Sequence, residues 1–143
     1  MTLVKAALLL LLLVAALTDL CQRRIPNILL AFGALIGLGA SLSGFGMVSA
    51  SQALLGAGVG FLIFLLPYVI GRMGAGDVKF LTVIGLFVGP VAVMKVALYA
   101  MLAGGVLALL LLGLRTGRFI EGKNIPYAVG ISIGALLVLA EMN

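Results

Sequence analysis

From Ile25 to Gly71 the chain runs for 47 residues without a single charge. One helix crosses the hydrocarbon core of a bilayer with roughly 20 residues. This run is therefore too long for one span and long enough for two. The Ser- and Gly-rich stretch Ser41–Gln52 supplies the turn between them. A soluble fold would need a polar surface, and soluble domains are about one quarter charged. Here 9% of the residues are charged and 64% are hydrophobic. The surface of such a chain faces lipid.

Charges punctuate the remainder and mark out the other helices. The first apolar run is Leu3–Thr18, with Lys5 near enough to its end to snorkel into the headgroups. Asp19–Arg24 reads as a polar connector. Helix two is expected near 27–43 and helix three near 52–71, followed by the glycine-rich loop Arg72–Gly76. Helix four starts near Asp77 and ends near Gly89-Pro90, since proline lacks the amide that a helix interior requires. Helix five covers about 91–114, a polar loop spans Arg115–Asn124, and helix six covers about 125–141. Helices four and six are short for a full crossing. The expected fold is all-α: a polytopic membrane protein, a bundle of about six transmembrane helices, forming a single membrane-embedded domain over 1–143. A secretory signal cleaved after Ala16 would leave five helices and the same class. Glycines recur four apart, at Gly33/Gly37, Gly56/Gly60, Gly85/Gly89 and Gly130/Gly134. This spacing lets helix backbones approach closely in lipid.

Six crossings put Arg23, Arg24, Arg72, Lys79, Arg115, Arg118 and Lys123 on one side, and Lys5 and Lys95 on the other. Lysine and arginine collect on the cytoplasmic side. The longer polar connectors are thus expected in the cytoplasm and both termini outside. The net charge of +5 is dispersed through apolar sequence and forms no basic stripe, which argues against a nucleic-acid partner. The chain has one cysteine, Cys21, and no histidine. An internal disulfide is excluded, and the commonest metal ligand and general base is missing.

Four acids remain: Asp19, Asp77, Glu121 and Glu141. Glu121 and Glu141 read as solvated surface charges. Asp19 and Asp77 each sit at a membrane boundary, one closing helix one and the other opening helix four. Two helices separate them, so they share a side of the membrane and can form a carboxylate pair. Each also has a purely structural reading. Asp77 fits an N-cap, and Asp19 fits a polar stop paired with Arg23 one turn on. The context of Asp77 is Gly74-Ala75-Gly76-Asp77, whose glycines permit a sharp turn and leave room for a substrate backbone. Asp19 precedes Ile25-Pro26-Asn27, with proline suited to a helix start.

These motifs resemble a known family. GxGD opening a helix is the signature of the membrane aspartyl proteases, the presenilins and the type IV prepilin peptidases. The prepilin peptidases also carry an aspartate followed seven residues later by proline and an acid or amide, which Asp19 and Pro26-Asn27 match. Asp77-Val78-Lys79-Phe80 looks like the family's GxGDxK continuation, and Ile125-Pro126-Tyr127-Ala128-Val129-Gly130 is similar to the motif opening its last helix. The resemblance implies Asp19 and Asp77 as catalytic residues, with Gly74, Gly76, Lys79, Pro26 and Asn27 in support. It implies an endopeptidase in the bacterial inner membrane that removes the basic leader of pilin-like precursors at the cytoplasmic face. Full-length members add an N-terminal cytoplasmic region, often with paired CxxC motifs, linked to N-methylation. With one cysteine and an immediate first helix, this sequence is similar to the compact peptidases of tight-adherence (Tad/CpaA-type) pilus systems, without the methyltransferase region.

Two close carboxylates do not both ionise easily and share a proton. One activates water while the other protonates the peptide group, which calls for no metal or organic cofactor. Zinc chemistry on HExxH and Ser-His chemistry both need histidine. A Ser-Lys dyad from Ser132 with Lys79 or Lys123 has no supporting motif. The rival functions are a small proton- or ion-coupled transporter, whose acids belong at the midplane rather than at one interface, and a non-catalytic membrane subunit of a secretion complex. Helix dipoles suggest roles within the pair. Asp77 at a helix N-terminus is expected to be the ionised base, and Asp19 at a helix C-terminus the protonated acid.

Overall fold

The computed structural model describes residues 2–22, 24–71, 73–113 and 127–142. Arg23, Arg72, the polar loop expected at 115–124 and the Ile125-Pro126 start of the last helix lie outside the described residues. Within them every regular element is helical: α1 Thr2–Gln22, α2 Asn27–Leu42, α3 Ala50–Val69, α4 Ala75–Gly113 and α5 Tyr127–Glu141. α1, α3 and the apolar run of α4 are long and apolar enough to cross a membrane, and α2 and α5 are shorter apolar helices.

α4 is two helices in one. Gly89 has φ 81° and ψ 179°, outside the helical region, and Pro90 follows it. A methyl group placed on Gly60 of α3 would lie 2.8 Å from the Leu81 carbonyl oxygen and 3.2 Å from Val93 Cγ2, so those two atoms are within about 6 Å of each other. A straight helix would separate residues 81 and 93 by about 18 Å. The chain therefore turns back on itself at Gly89-Pro90, where the sequence places a helix end. The limbs, 75–88 and 90–113, run antiparallel, and the count of about six helices holds. The first limb rises only about 21 Å at 1.5 Å per residue, so it is short for the hydrocarbon core, as its sequence implies.

The glycine pairs mark the seams. A side chain on Gly56 would run into the Gly85 carbonyl and the Gly89 backbone, and one on Gly85 into the Gly56 backbone. α3 thus seats in the angle between the two limbs of α4, its main packing partner. On the other face of the first limb, Gly33 admits Leu11 and Val83, and Gly37 admits the Phe87 ring. α5 lies against the second limb, with Gly134 close to the Val96 carbonyl and Gly130 close to that of Ala100. The first limb is the centre of the bundle: Phe80, Leu81, Ile84 and Phe87 are all fully buried.

One element departs from the sequence reading. α1 does not stop at Thr18 but continues to Gln22, which puts Asp19 inside the last turn and not in a connector. α2 begins at Asn27, where the sequence places it, and Pro26 is its cap residue in extended conformation. Its carbonyl accepts the Leu29 and Leu30 amides. Glu141 is exposed, yet it is not a simple solvated charge. Its carboxylate pairs with Lys95 Nζ at 2.7 Å and accepts the Tyr99 hydroxyl at 2.8 Å. That cluster caps the end of the bundle opposite Asp19.

Candidate active site

Asp19 is buried, with 8% of its surface exposed. An ionisable residue buried in an apolar helix is expensive and therefore points to function. Its partner is not on its own helix. The backbone amide of Ala128, in the first turn of α5, donates to Asp19 Oδ2 at 3.2 Å. Ser132, one turn further along α5, donates to the Leu12 carbonyl at 3.2 Å and pins the two helices together. With its hydroxyl committed to that bond, Ser132 is placed as a structural residue of the α1–α5 seam.

Asp77 is the third residue of α4, not its cap. The helix begins at Ala75, and Asp77 Oδ2 reaches back to accept the Gly74 amide at 3.3 Å, while its own amide donates to the Gly74 carbonyl at 3.1 Å. This closes the helix start in the reciprocal manner of a capping box. Asp77 is half-buried. Both aspartates lie at the same end of the bundle, where Ile25, six residues beyond Asp19, packs on Gly76 beside Asp77.

This geometry alters the helix fields that act on the two carboxylates. Asp19 does end its own helix, but it also faces the N-terminus of α5, whose free amide it accepts. Asp77 faces the N-terminus of α4. Each carboxylate has one backbone donor from a helix start, which narrows the expected difference between them, while the C-terminal end of α1 still acts on Asp19 alone.

The supporting residues converge on the same end. Lys79 Nζ donates to Asn27 Oδ1 at 3.2 Å, joining two residues 52 positions apart. Ile25 packs over Gly76, with its Cβ 3.7 Å from where a Gly76 methyl would sit. The loop's sharp turn, expected at Gly74 and Gly76, is made elsewhere. Gly71 is the residue with left-handed backbone, φ 78°, just past the end of α3. Its amide returns to the Tyr68 carbonyl, a common way for a helix to stop at glycine. Gly74 and Gly76 have no such conformation, and a methyl group on Gly76 would meet Ile25 only at ordinary van der Waals distance. Sequence reasoning missed Gly71 and the role of the Ala128 amide. The motif around Tyr127-Ala128 was visible, but a backbone donor leaves no side-chain signature.

Residues 6–109 match the model of the type IV leader peptidase family. The chain is also 33% identical over 132 residues to a prepilin leader peptidase/N-methyltransferase of Bacillus subtilis (strain 168), an alignment that covers 89% of this chain and 51% of that protein. It thus spans about half the length of the curated relative it matches. No solved structure matches it significantly. Two aspartates stand at the same end of an apolar helical bundle, each in the motif that carries the resemblance, and the family match spans most of the sequence: the chain is a membrane protein that belongs to the type IV leader peptidase family.

Proposed function

We propose that this chain is an aspartic endopeptidase of the bacterial inner membrane that removes the leader of pilin-like precursors at the cytoplasmic face. The observation that carries this reading is that Asp19 and Asp77 stand at the same end of the bundle, each accepting a backbone amide from a helix start. Such a pair holds one proton between its members. The ionised carboxylate takes a proton from water as the water attacks the scissile carbonyl, and the protonated one delivers its proton to the leaving amide nitrogen. The two backbone donors keep both carboxylates oriented through the cycle. Purified chain in detergent should cut a pilin-like precursor, and Asp77→Asn should not. Cleavage by both proteins, or by neither, would remove the assignment.

Recognition is expected to rest on the precursor's apolar helix. The site end carries cations, Arg24 and Lys79 among the described residues, and the leader is basic, so charge attraction does not bring them together. An apolar helix gains its contacts between membrane helices. A soluble peptide covering the leader and the cleavage site alone should be cut at least about 100-fold more slowly than a precursor that keeps the helix, because remote binding contributes to turnover. Equal kcat/KM values for the two would overturn this.

Gly76 separates spatial from conformational effects. Its methyl analogue would make an ordinary van der Waals contact with Ile25, so Gly76→Ala should keep most activity. Gly76→Val adds branched methyls that press on Ile25 and on the space beside Asp77, and should lower kcat/KM about tenfold or more. Full activity in the valine variant would make the loop a plain connector.

A further inference from the structure

We propose that Lys79 and Asn27 form a latch that sets the separation of the two aspartates, making them positioning residues rather than catalytic ones. The inference rests on the peptidase reading above and deepens it. Asp19 and Asp77 stand on α1 and α4, which touch each other only sparsely. Something else must hold the two carboxylates in register. α1 ends at Gln22 and α2 begins at Asn27, so the start of α2 lies only a few residues from the end of α1. The tight glycine seams of the first limb of α4 begin deeper in the bundle, at Leu81, Val83 and Gly85. The turn that carries Asp77 lies beyond them. At that level α2 and α4 are joined by Ile25 over Gly76 and by the Lys79–Asn27 hydrogen bond.

Helix geometry gives the latch its orientation. Residues two apart on a helix point about 200° apart, so Lys79 faces α2 while Asp77 faces away from it. Lys79 is therefore out of line with the reacting atoms, and its pull on Asn27 acts on Asp77 through the helix backbone. A neutral amide partner suits this task. It accepts the ammonium proton without creating a third carboxylate near the pair, which would compete for the shared proton. Lys79 and Asn27 line an open groove of about 520 Å³ between α2, α3 and α4, with Leu30, Ala31, Phe61, Thr82 and Val83 as the other walls. The latch sits at the polar end of that groove.

The test uses the full chain in lipid nanodiscs and two readouts. The first is kcat and KM on a pilin-like precursor for Lys79→Met, Asn27→Leu and the exchanged pair Lys79→Asn with Asn27→Lys. The second is independent of activity: the EPR distance distribution between spin labels on Cys21, which is native and exposed, and on Ala75→Cys. Each single variant should lower kcat about tenfold or more with KM within twofold, because misplacement near 1 Å is costly to turnover. Each should also lengthen or broaden the label distance, and the exchanged pair should restore both readouts. Unchanged label distances in the single variants would overturn the latch, whatever the activity. So would a loss seen in KM alone, or an exchanged pair no better than the singles. Should the wild type cleave nothing, the peptidase reading fails while the distance readout still decides the latch.

Discussion

Asp19→Asn and Asp77→Asn should each lower kcat by at least about a thousandfold while leaving a protein that inserts and melts like the wild type. Asparagine is the informative substitution because it keeps the acceptor oxygen. The Ala128 amide retains its partner at position 19, and the Gly74 amide retains its partner at position 77. What disappears is the exchangeable proton, and proton transfer by a positioned group is worth about 10²–10⁴ in rate. Asp19→Ala should be equally inactive but less stable, since a buried amide left without a partner costs about 1–3 kcal/mol. The double variant should be no slower than either single one, because residues that work as a unit do not add. Cleavage assays beside thermal melts in the same detergent check all of these. Turnover near normal in either asparagine variant would exclude that residue from the chemistry.

The second large effect concerns the fold. Gly85→Val should leave little folded protein, and Gly58→Ala should be neutral, although each changes one glycine in the α3–α4 pair. A side chain on Gly85 meets the Gly56 backbone, which has no rotamer to yield, whereas nothing lies within 4 Å of the Gly58 position. Overpacking a tight core costs about 1–3 kcal/mol where side chains can move, and a backbone seam allows less relief. Folded yield and melting temperature after detergent extraction measure both. A Gly85→Val protein melting within a few degrees of the wild type would mean that α3 does not seat in the angle of α4.

Much of this arrangement is legible from charge and glycine. The uncharged run from Ile25 to Gly71 separates into α2 and α3 close to where Ser41–Gln52 suggests. Gly89-Pro90 marks a helix end because proline cannot donate and glycine tolerates the turn, even though the apolar pattern passes through it unbroken. The shared side of Asp19 and Asp77 follows from counting crossings. What escapes the sequence is contact made by backbone. Asp19 looks like the edge of a connector because Arg23 and Arg24 follow it, and only the packing of α5 shows why the helix runs on to Gln22 with that carboxylate inside. The left-handed turn sits at Gly71 rather than in the GxGD motif, since a motif names residues without saying which one bends. Glu141 lies 46 positions from Lys95 and 42 from Tyr99, and only the antiparallel α4–α5 packing brings it to them.

The reversal at Gly89 also settles a question of parity. Asp19 and Ala128 meet only if an even number of crossings separates them. α2 and α3 contribute two, and α4 contributes two because it doubles back. A straight α4 would contribute one and deliver the α5 amide to the opposite leaflet, about 30 Å of hydrocarbon away. The hydrogen bond to Asp19 is therefore decided at a glycine at the opposite end of the bundle.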